Sequence, residues 1–485
     1  MTLSLKEDSL NIDPFEKHAI AAQMLSQMIL SSNQKSEDKF TNSEEFQIAF
    51  SKASESLQNS DPLAYNTIIE KVSNSVDPLD STIIQSIDIH LFNVLIDAIF
   101  IFKDNDKCIF NSFLCISELS LIESFRDFFF SNNIFQISFD ALDSENHNIS
   151  LNALKVMSIM IELAIKNETQ FDMNNLIVKL NSNNQKSRDH EFYVIMTLTS
   201  IVEYSDFSEY YESIIDILCY ISVETNSEKN VSALGNIISL IIKKNFNYFF
   251  HIHLRLGITG VLLEQLNENT IITQDIFFAI PILQIVLCVI HNLKKNNLEM
   301  AIQFSSLISF ENYEKLIRES IVEVSELALQ IVSFLLVHNP NYWLDLCVKN
   351  KLIQTVISKF IDEAPFYKKY VGIKFLLSVS KVIKNINDLN LLLGLNVIEK
   401  CSFSLDCDDL NALTQYLKLI RNLLYLSSSL NATKLILQIN EDITNLNVFE
   451  SSHEFIENLS VDNEPEIQNK IRFILQILNS IKLKL

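Results

Sequence analysis

Residues 350–385, NKLIQTVISKFIDEAPFYKKYVGIKFLLSVSKVIKN, and 386–427, INDLNLLLGLNVIEKCSFSLDCDDLNALTQYLKLIRNLLYLS, read as two copies of one unit. Each copy begins with a short turn, enters an apolar helix, crosses a polar gap and ends in a longer apolar helix. Gly372 opens that second helix in the first copy, and Tyr416 opens it in the next, 44 residues on. Outward from this pair, long apolar segments start at Ser112, Ala153, Phe192, Ala233, Ile280, Ala328, Gly372, Tyr416 and Ile471. The intervals are 41, 39, 41, 47, 48, 44, 44 and 55 residues. Within the segments apolar residues recur at i, i+3, i+4 and i+7, the spacing of a helix face and not the alternation of a strand. Units of this length cannot bury their apolar faces alone, so they must stack on their neighbours. The 55-residue step is assigned to an insertion near Asn447–Asn458.

Composition agrees. The 485 residues include only 5 Gly and 7 Pro. Hairpin turns and mononucleotide-binding loops need glycines at positive φ, so both are disfavoured. The expected class is all-α: a right-handed superhelical solenoid of about nine or more two- or three-helix units over 46–485. Residues 1–45 are expected to form an N-terminal helix with flexible polar segments. Asp13-Pro14-Phe15-Glu16 supplies a cap, a Pro at the first helical position and an acid for a helix to about Leu30, and SSNQKSEDKFTNSEE (31–45) is a polar break. Asp61-Pro62 and Asp77-Pro78 mark two further helix starts.

Several units carry a tight turn followed by a branched apolar residue, 20–23 residues before the long helix: Asn133-Ile134, Gly257-Ile258, Asn350 with Leu352-Ile353, and Gly394 with Val397. Gly or Asn suits a left-handed turn there. Polar gaps precede the long helices, as in SENHNISLNALKVMSIMIEL (144–163), NSEKNVSALGNIISLI (227–242) and DNEPEIQNKIRFILQIL (462–478). These features resemble the armadillo pattern over about residues 75–485. The resemblance implies a short first helix and a long third helix lining the inner, concave surface. Importin alpha, within that group, displays Trp and Asn ladders and a basic N-terminal segment. Here the only tryptophan is Trp343, outside the long helices, and the first 60 residues are not basic. The resemblance is therefore to the superfamily.

The formal charge of −22 argues against duplex nucleic acid, which needs a basic surface. No basic segment followed by an apolar core stands at the N-terminus, so no signal peptide is expected, and the chain is read as soluble, cytoplasmic and potentially also nuclear. The apolar run Ile276–Ile290 is shorter than the ~20 residues of a spanning helix and is expected to be a buried helix, with no membrane partner. Seven cysteines without a C-x-x-C motif read as reduced thiols in apolar surroundings. Gly257-Ile-Thr-Gly260 lacks the spacing and the Lys-Ser/Thr of a phosphate loop. His251 and His253 point apart on a helix and are read as surface or capping residues. Cys401 and Cys407 have no accompanying His. No enzyme activity, metal or cofactor is expected.

One pattern does suggest binding. Lys374, Ser378, Lys381 and Asn385 share a helix face, and Lys418, Arg421, Asn422 and Tyr425 take similar places in the next unit. Between Lys349 and Lys384 stand eight Lys against two acids, Asp362 and Glu363. The plain alternative is a solvated helix face. If the long helices line a concave groove, Lys374, Lys381, Lys418, Arg421 and Asn422 are the expected protein-binding residues for an extended or helical acidic segment. The expected role is a scaffold or adaptor of protein partners. Alternatives are a nuclear transport adaptor, or a solenoid regulator such as a GTPase exchange factor or a client-binding chaperone. The partner and the oligomeric state are not legible.

Overall fold

The computed structural model describes residues 40, 42–76, 86–224, 227–269, 279–365, 368–405, 409–459 and 465–484. The expected helix at 14–30, most of the break at 31–45 and the start at Asp77-Pro78 lie outside those residues. Among the described residues all regular structure is helical. Nine helices take the places of the nine apolar segments and are numbered in chain order: α1 Asp106–Leu119, α2 His147–Lys166, α3 Arg188–Tyr204, α4 Glu228–Lys244, α5 Ala279–Leu293, α6 Val322–His338, α7 Lys369–Val382, α8 Leu410–Ser429 and α9 Pro465–Lys482. Other helices are named by their ranges.

These helices start one to six residues earlier than the apolar runs suggest, and in α1 to α4 the first turns are largely polar. The expected polar gaps at 144–152 and 227–232 are mostly those first turns. Side chains close them: Asn105 accepts from the Cys108 N–H, Asn146 from Asn148, Ser187 from His190 and Asp409 from Asn411. Each such cap satisfies a backbone donor that the helix leaves open and is worth ~1 kcal/mol. Asp61 caps the helix Pro62–Ser75 in the same way, with Pro62 at its first position as expected.

Contacts divide the chain into two compact units, one ending at Asn230 and the other beginning at Val231. In the first, Pro62–Ser75 packs on α1, α1 on α2 and α2 on α3. In the second, α5 packs on α6, α6 on α7, α7 on α8 and α8 on α9. This is repeat stacking: each of these helices buries its face against the same helix of the next repeat. Two short helices precede α2, α6 and α9, whereas single helices, Met173–Asn184 and Tyr211–Glu224, precede α3 and α4. Both three-helix and two-helix repeats are therefore present, the hallmarks of an armadillo/HEAT-like helical-repeat solenoid.

The turn between the short helices is left-handed in five repeats, and the residue after it is always a fully buried aliphatic. The pairs are Asn133-Ile134, Gly257-Ile258, Lys351-Leu352, Asn396-Val397 and Asn447-Val448. Two of the sequence expectations need correction. The left-handed residue is Lys351 and not Asn350, and Asn396 and not Gly394. Asn350 instead ends the preceding helix, its Nδ2 donating to the Leu346 carbonyl at 3.0 Å. Gly394 is the last residue of the helix Ile386–Gly394. The supposed insertion at 447–458 is the ordinary second helix, Val448–Leu459. The step is long because this helix and its predecessor, Thr433–Asn445, have 12 and 13 residues, against 4 and 9 in the repeat before.

Polar side chains cross between repeats with the same period. Tyr65 Oη meets Ser112 Oγ at 2.7 Å, and Asn111 donates to Asn66 at 2.8 Å. Asn230 donates to Glu191 at 2.8 Å, and Lys243 to Gln284 at 3.2 Å. Two lysines perform the same task in separate repeats. Lys186 Nζ donates to the Ser144 carbonyl (3.3 Å) and Ser150 Oγ (3.1 Å) of the preceding repeat. Lys359 Nζ donates to the Ile317 (2.8 Å), Arg318 (3.2 Å) and Ser320 (2.6 Å) carbonyls and to Ser325 Oγ (2.9 Å). In both, an ammonium closes the open carbonyl end of a short helix and pins a serine of the next stacking helix.

Gly372 lies where α7 presses on its own short helix: an added Cβ would sit 2.6 Å from Ile361 Cδ1 and 3.1 Å from Phe360 Cβ. We expect Gly372→Ala to destabilise by about 1–3 kcal/mol despite alanine's better helix propensity. Gly394→Ala, which meets nothing within 4 Å, should be neutral or stabilising. Urea midpoints that move together would contradict this. Lys359→Met should cost about 1–3 kcal/mol, through carbonyls left without a donor.

Candidate functional site

α7 is buried almost all round. Val371, Ile373, Phe375, Leu376, Leu377, Val379 and Val382 face the protein, and Lys374, Ser378 and Lys381 form the stripe left open. That stripe lines a cavity of about 260 Å³, with Gln330 and Ser333 of α6 on one side and Gln415 of α8 on the other. The sequence-derived residues of α7 are thus brought together at one groove spanning three stacked helices. Tyr370 also borders it, and the Lys374 ammonium rests over that ring, 4.8 Å from its centre.

The residues expected from α8 continue the surface. Asn422 Nδ2 donates to Ser380 Oγ at 3.4 Å, which sets α8 in register with α7 and brings Arg421 beside Lys381. That bond uses part of the Asn422 amide. Lys418 Nζ lies over the Phe473 ring of α9 at 5.0 Å, a cation–π contact that holds it while leaving its charge in place. Crowding by neighbouring atoms, and then the Arg421 charge, push the Lys381 ammonium below the usual lysine range.

Neither α7 nor α8 contains an acidic residue. Glu326 of α6 is the nearest carboxylate along the stripe, and it is already taken by Lys368 Nζ (2.6 Å) and Tyr370 Oη (3.4 Å). Among the described residues Lys374, Lys381 and Arg421 make no ion pair. The other unit contrasts with this. There Lys166 pairs with Glu162 and lies over Tyr204, and Lys155 lies near Glu118 and over Tyr193.

The serine–histidine contacts around His190 do not open to solvent. Ser150 Oγ meets His190 Nε2 at 3.1 Å, and Ser187 Oγ meets His190 Nδ1 at 2.8 Å, but Ser150 and His190 are 0 % and 1 % exposed. This is a buried structural knot, invisible in sequence because Ser150 and His190 lie 40 residues apart. His253 corrects the surface reading given above: its ring stacks on Phe249, with centroids 5.2 Å apart, meets the edge of Phe304 and bonds Thr259 Oγ1 at 2.7 Å. Burial holds it below the ordinary histidine range. Cys108, Cys115, Cys347 and Cys401 are buried thiols, Cys115, Cys347 and Cys401 pushed upward first by desolvation. Cys407 lies outside the described residues. The described residues contain no group of three or more His, Cys, Asp or Glu placed to hold a metal ion.

The apolar run expected as a buried helix is α5, from Ala279 on. α2 is the one described helix long and apolar enough to cross a membrane, and over half of it is buried within the fold. Trp343 packs between Phe310 and Tyr313 in the core, away from the groove.

No protein-family model matches the chain, and no curated protein matches it. Among solved structures it is similar to an engineered protein known from its crystal structure, with a TM-score of 0.59 and 12% identity over 90% of this chain and 99% of that one. Kap121p bound to RanGTP gives a TM-score of 0.47 at 11% identity over 88% of this chain and 52% of that one. Kap121p alone gives 0.40 at 14% identity over 89% and 48%. The chain thus spans about half the length of Kap121p. At such identities the likeness is one of fold alone.

Burial first, then the Lys186 and His147 charges, lower His190 from its usual 6.5 to about 4, against a small opposing effect of Asp189. An unfolded chain takes up this proton first as pH falls, so the folded state loses stability through that window. The loss approaches about 3 kcal/mol. His190→Asn should be less stable at pH 7 yet lose less on acidification, as read from urea midpoints at pH 7 and 4.5. Parallel losses in both proteins would contradict the assignment.

Proposed function

We propose that this protein is a non-enzymatic helical-repeat scaffold that binds an acidic protein segment along the groove of α6, α7 and α8. Lys374, Lys381, Lys418, Arg421 and Asn422 are the contacting residues. The observation that carries this reading is that Lys374, Lys381 and Arg421, on two adjacent stacking helices of a chain whose net charge is −22, make no ion pair among the described residues. Like charges brought together without partners destabilise the free protein, and a ligand carboxylate removes that cost. The neighbouring apolar atoms of Val371 and Leu377 in the cavity give a side chain of the partner a place to anchor. Charge steers the segment in, and the stacked helices supply a continuous rigid surface. Roles as a transport adaptor or as a regulator of nucleotide exchange would use the same kind of surface, and no residue of the groove favours either over plain docking.

The test is a pull-down from native lysate read by mass spectrometry, with wild type beside Lys374→Glu/Lys418→Glu. Circular dichroism must show both folded. A partner with an acidic segment should be lost from the double variant. Identical partner sets would place binding elsewhere.

A further inference from the structure

We propose that the segment bound in this groove carries a phosphorylated serine or threonine, whose phosphate is received between Lys381 and Arg421. This rests on the docking role proposed above and narrows its ligand. The Asn422–Ser380 bond places Arg421 of α8 next to Lys381 of α7, and Lys374 lies two helical turns from Lys381, ~10 Å along α7. Lys374 and Lys381 line one small cavity and Arg421 stands beside Lys381, all three without an ion-pair partner among the described residues. A single carboxylate carries one charge and leaves two of them uncompensated. A phosphate monoester brings nearly two negative charges and three acceptor oxygens on one group.

The donor set suits that group. Arg421 offers the planar fork that matches phosphate oxygens, and Lys381 supplies a compact charge from the facing helix. A cavity of about 260 Å³ accepts one such side chain but not a helix. The cavity opens onto the groove, so the phosphate is best delivered by the docked segment itself. In the other unit Lys166 and Lys155 of the stacking helices have Glu162 and Glu118 beside them.

The test uses the full chain and three peptide libraries with degenerate flanks and a fixed centre of phosphoserine, glutamate or serine, read by fluorescence anisotropy. The phosphoserine library should bind at least tenfold more tightly than the glutamate library. The advantage should shrink between pH 7.5 and 5.5 as the phosphate takes up its second proton, near pH ~6. Lys381→Met/Arg421→Met should abolish the preference while circular dichroism and the unfolding midpoint show a folded chain. Equal binding of phosphoserine and glutamate libraries would overturn the phosphate assignment and leave the basic groove standing. Binding of neither would overturn the groove as well. If free O-phosphoserine or inorganic phosphate competes as well as the peptides do, the ligand is a soluble phosphate and not a docked segment, and the proposal fails.

Discussion

Each stacking helix is buried against the same helix of the next repeat, and everything else in the structure is arranged to let that contact recur. A fully buried Leu, Ile or Phe contributes roughly 1.5–3 kcal/mol. In α7 and α8 such residues occupy most of the surface, so stacking between repeats is a large source of stability. Apolar contact alone does not fix register. The polar cross-links do: Tyr65 with Ser112, Asn230 with Glu191, Lys359 with Ser325 and Asn422 with Ser380 each lock one repeat against the next. A buried donor displaced by one residue would lose its acceptor, and that penalty selects a single register.

The sequence shows the apolar half of this arrangement and hides the polar half. The nine runs from Ser112 to Ile471 are legible because a buried face leaves a local period. Helix starts are not, since the first turn of α2 is polar and the caps Asn146 and Asp409 of α2 and α8 look like loop residues. The left-handed turns at Lys351 and Asn396 are hidden for a related reason. Asn350 and Gly394 have the residue types for that backbone, but the neighbouring position carries it, and the better sequence signal is the fully buried aliphatic just after the turn. Lys186, Lys359 and His190 carry no local signal at all. Their partners in the neighbouring repeat lie 34 to 44 residues away, and only the stacking brings them together.

The groove follows from the same geometry. Because α7 packs against α6, α8 and its own short helices, only one narrow stripe of it remains available, at the spacing of Lys374, Ser378 and Lys381. Helical periodicity placed these on one face. It did not show that Gln330 and Gln415 would border the same cavity, or that Asn422 would engage Ser380. Nor did it show that Glu326, the nearest acid on the stripe, is already held by Lys368. Among the described residues the folding of the chain leaves Lys374, Lys381 and Arg421 without a counter-charge, and a structural feature that opposes stability in this way points to a partner.

That claim is tested most directly without any partner. The urea midpoint of the ligand-free chain should rise when Lys381→Met and Arg421→Met are introduced together, since two repelling charges are replaced by apolar side chains of similar length. A midpoint that falls would mean that both charges are satisfied within the protein itself, and the groove would then be an ordinary part of the fold.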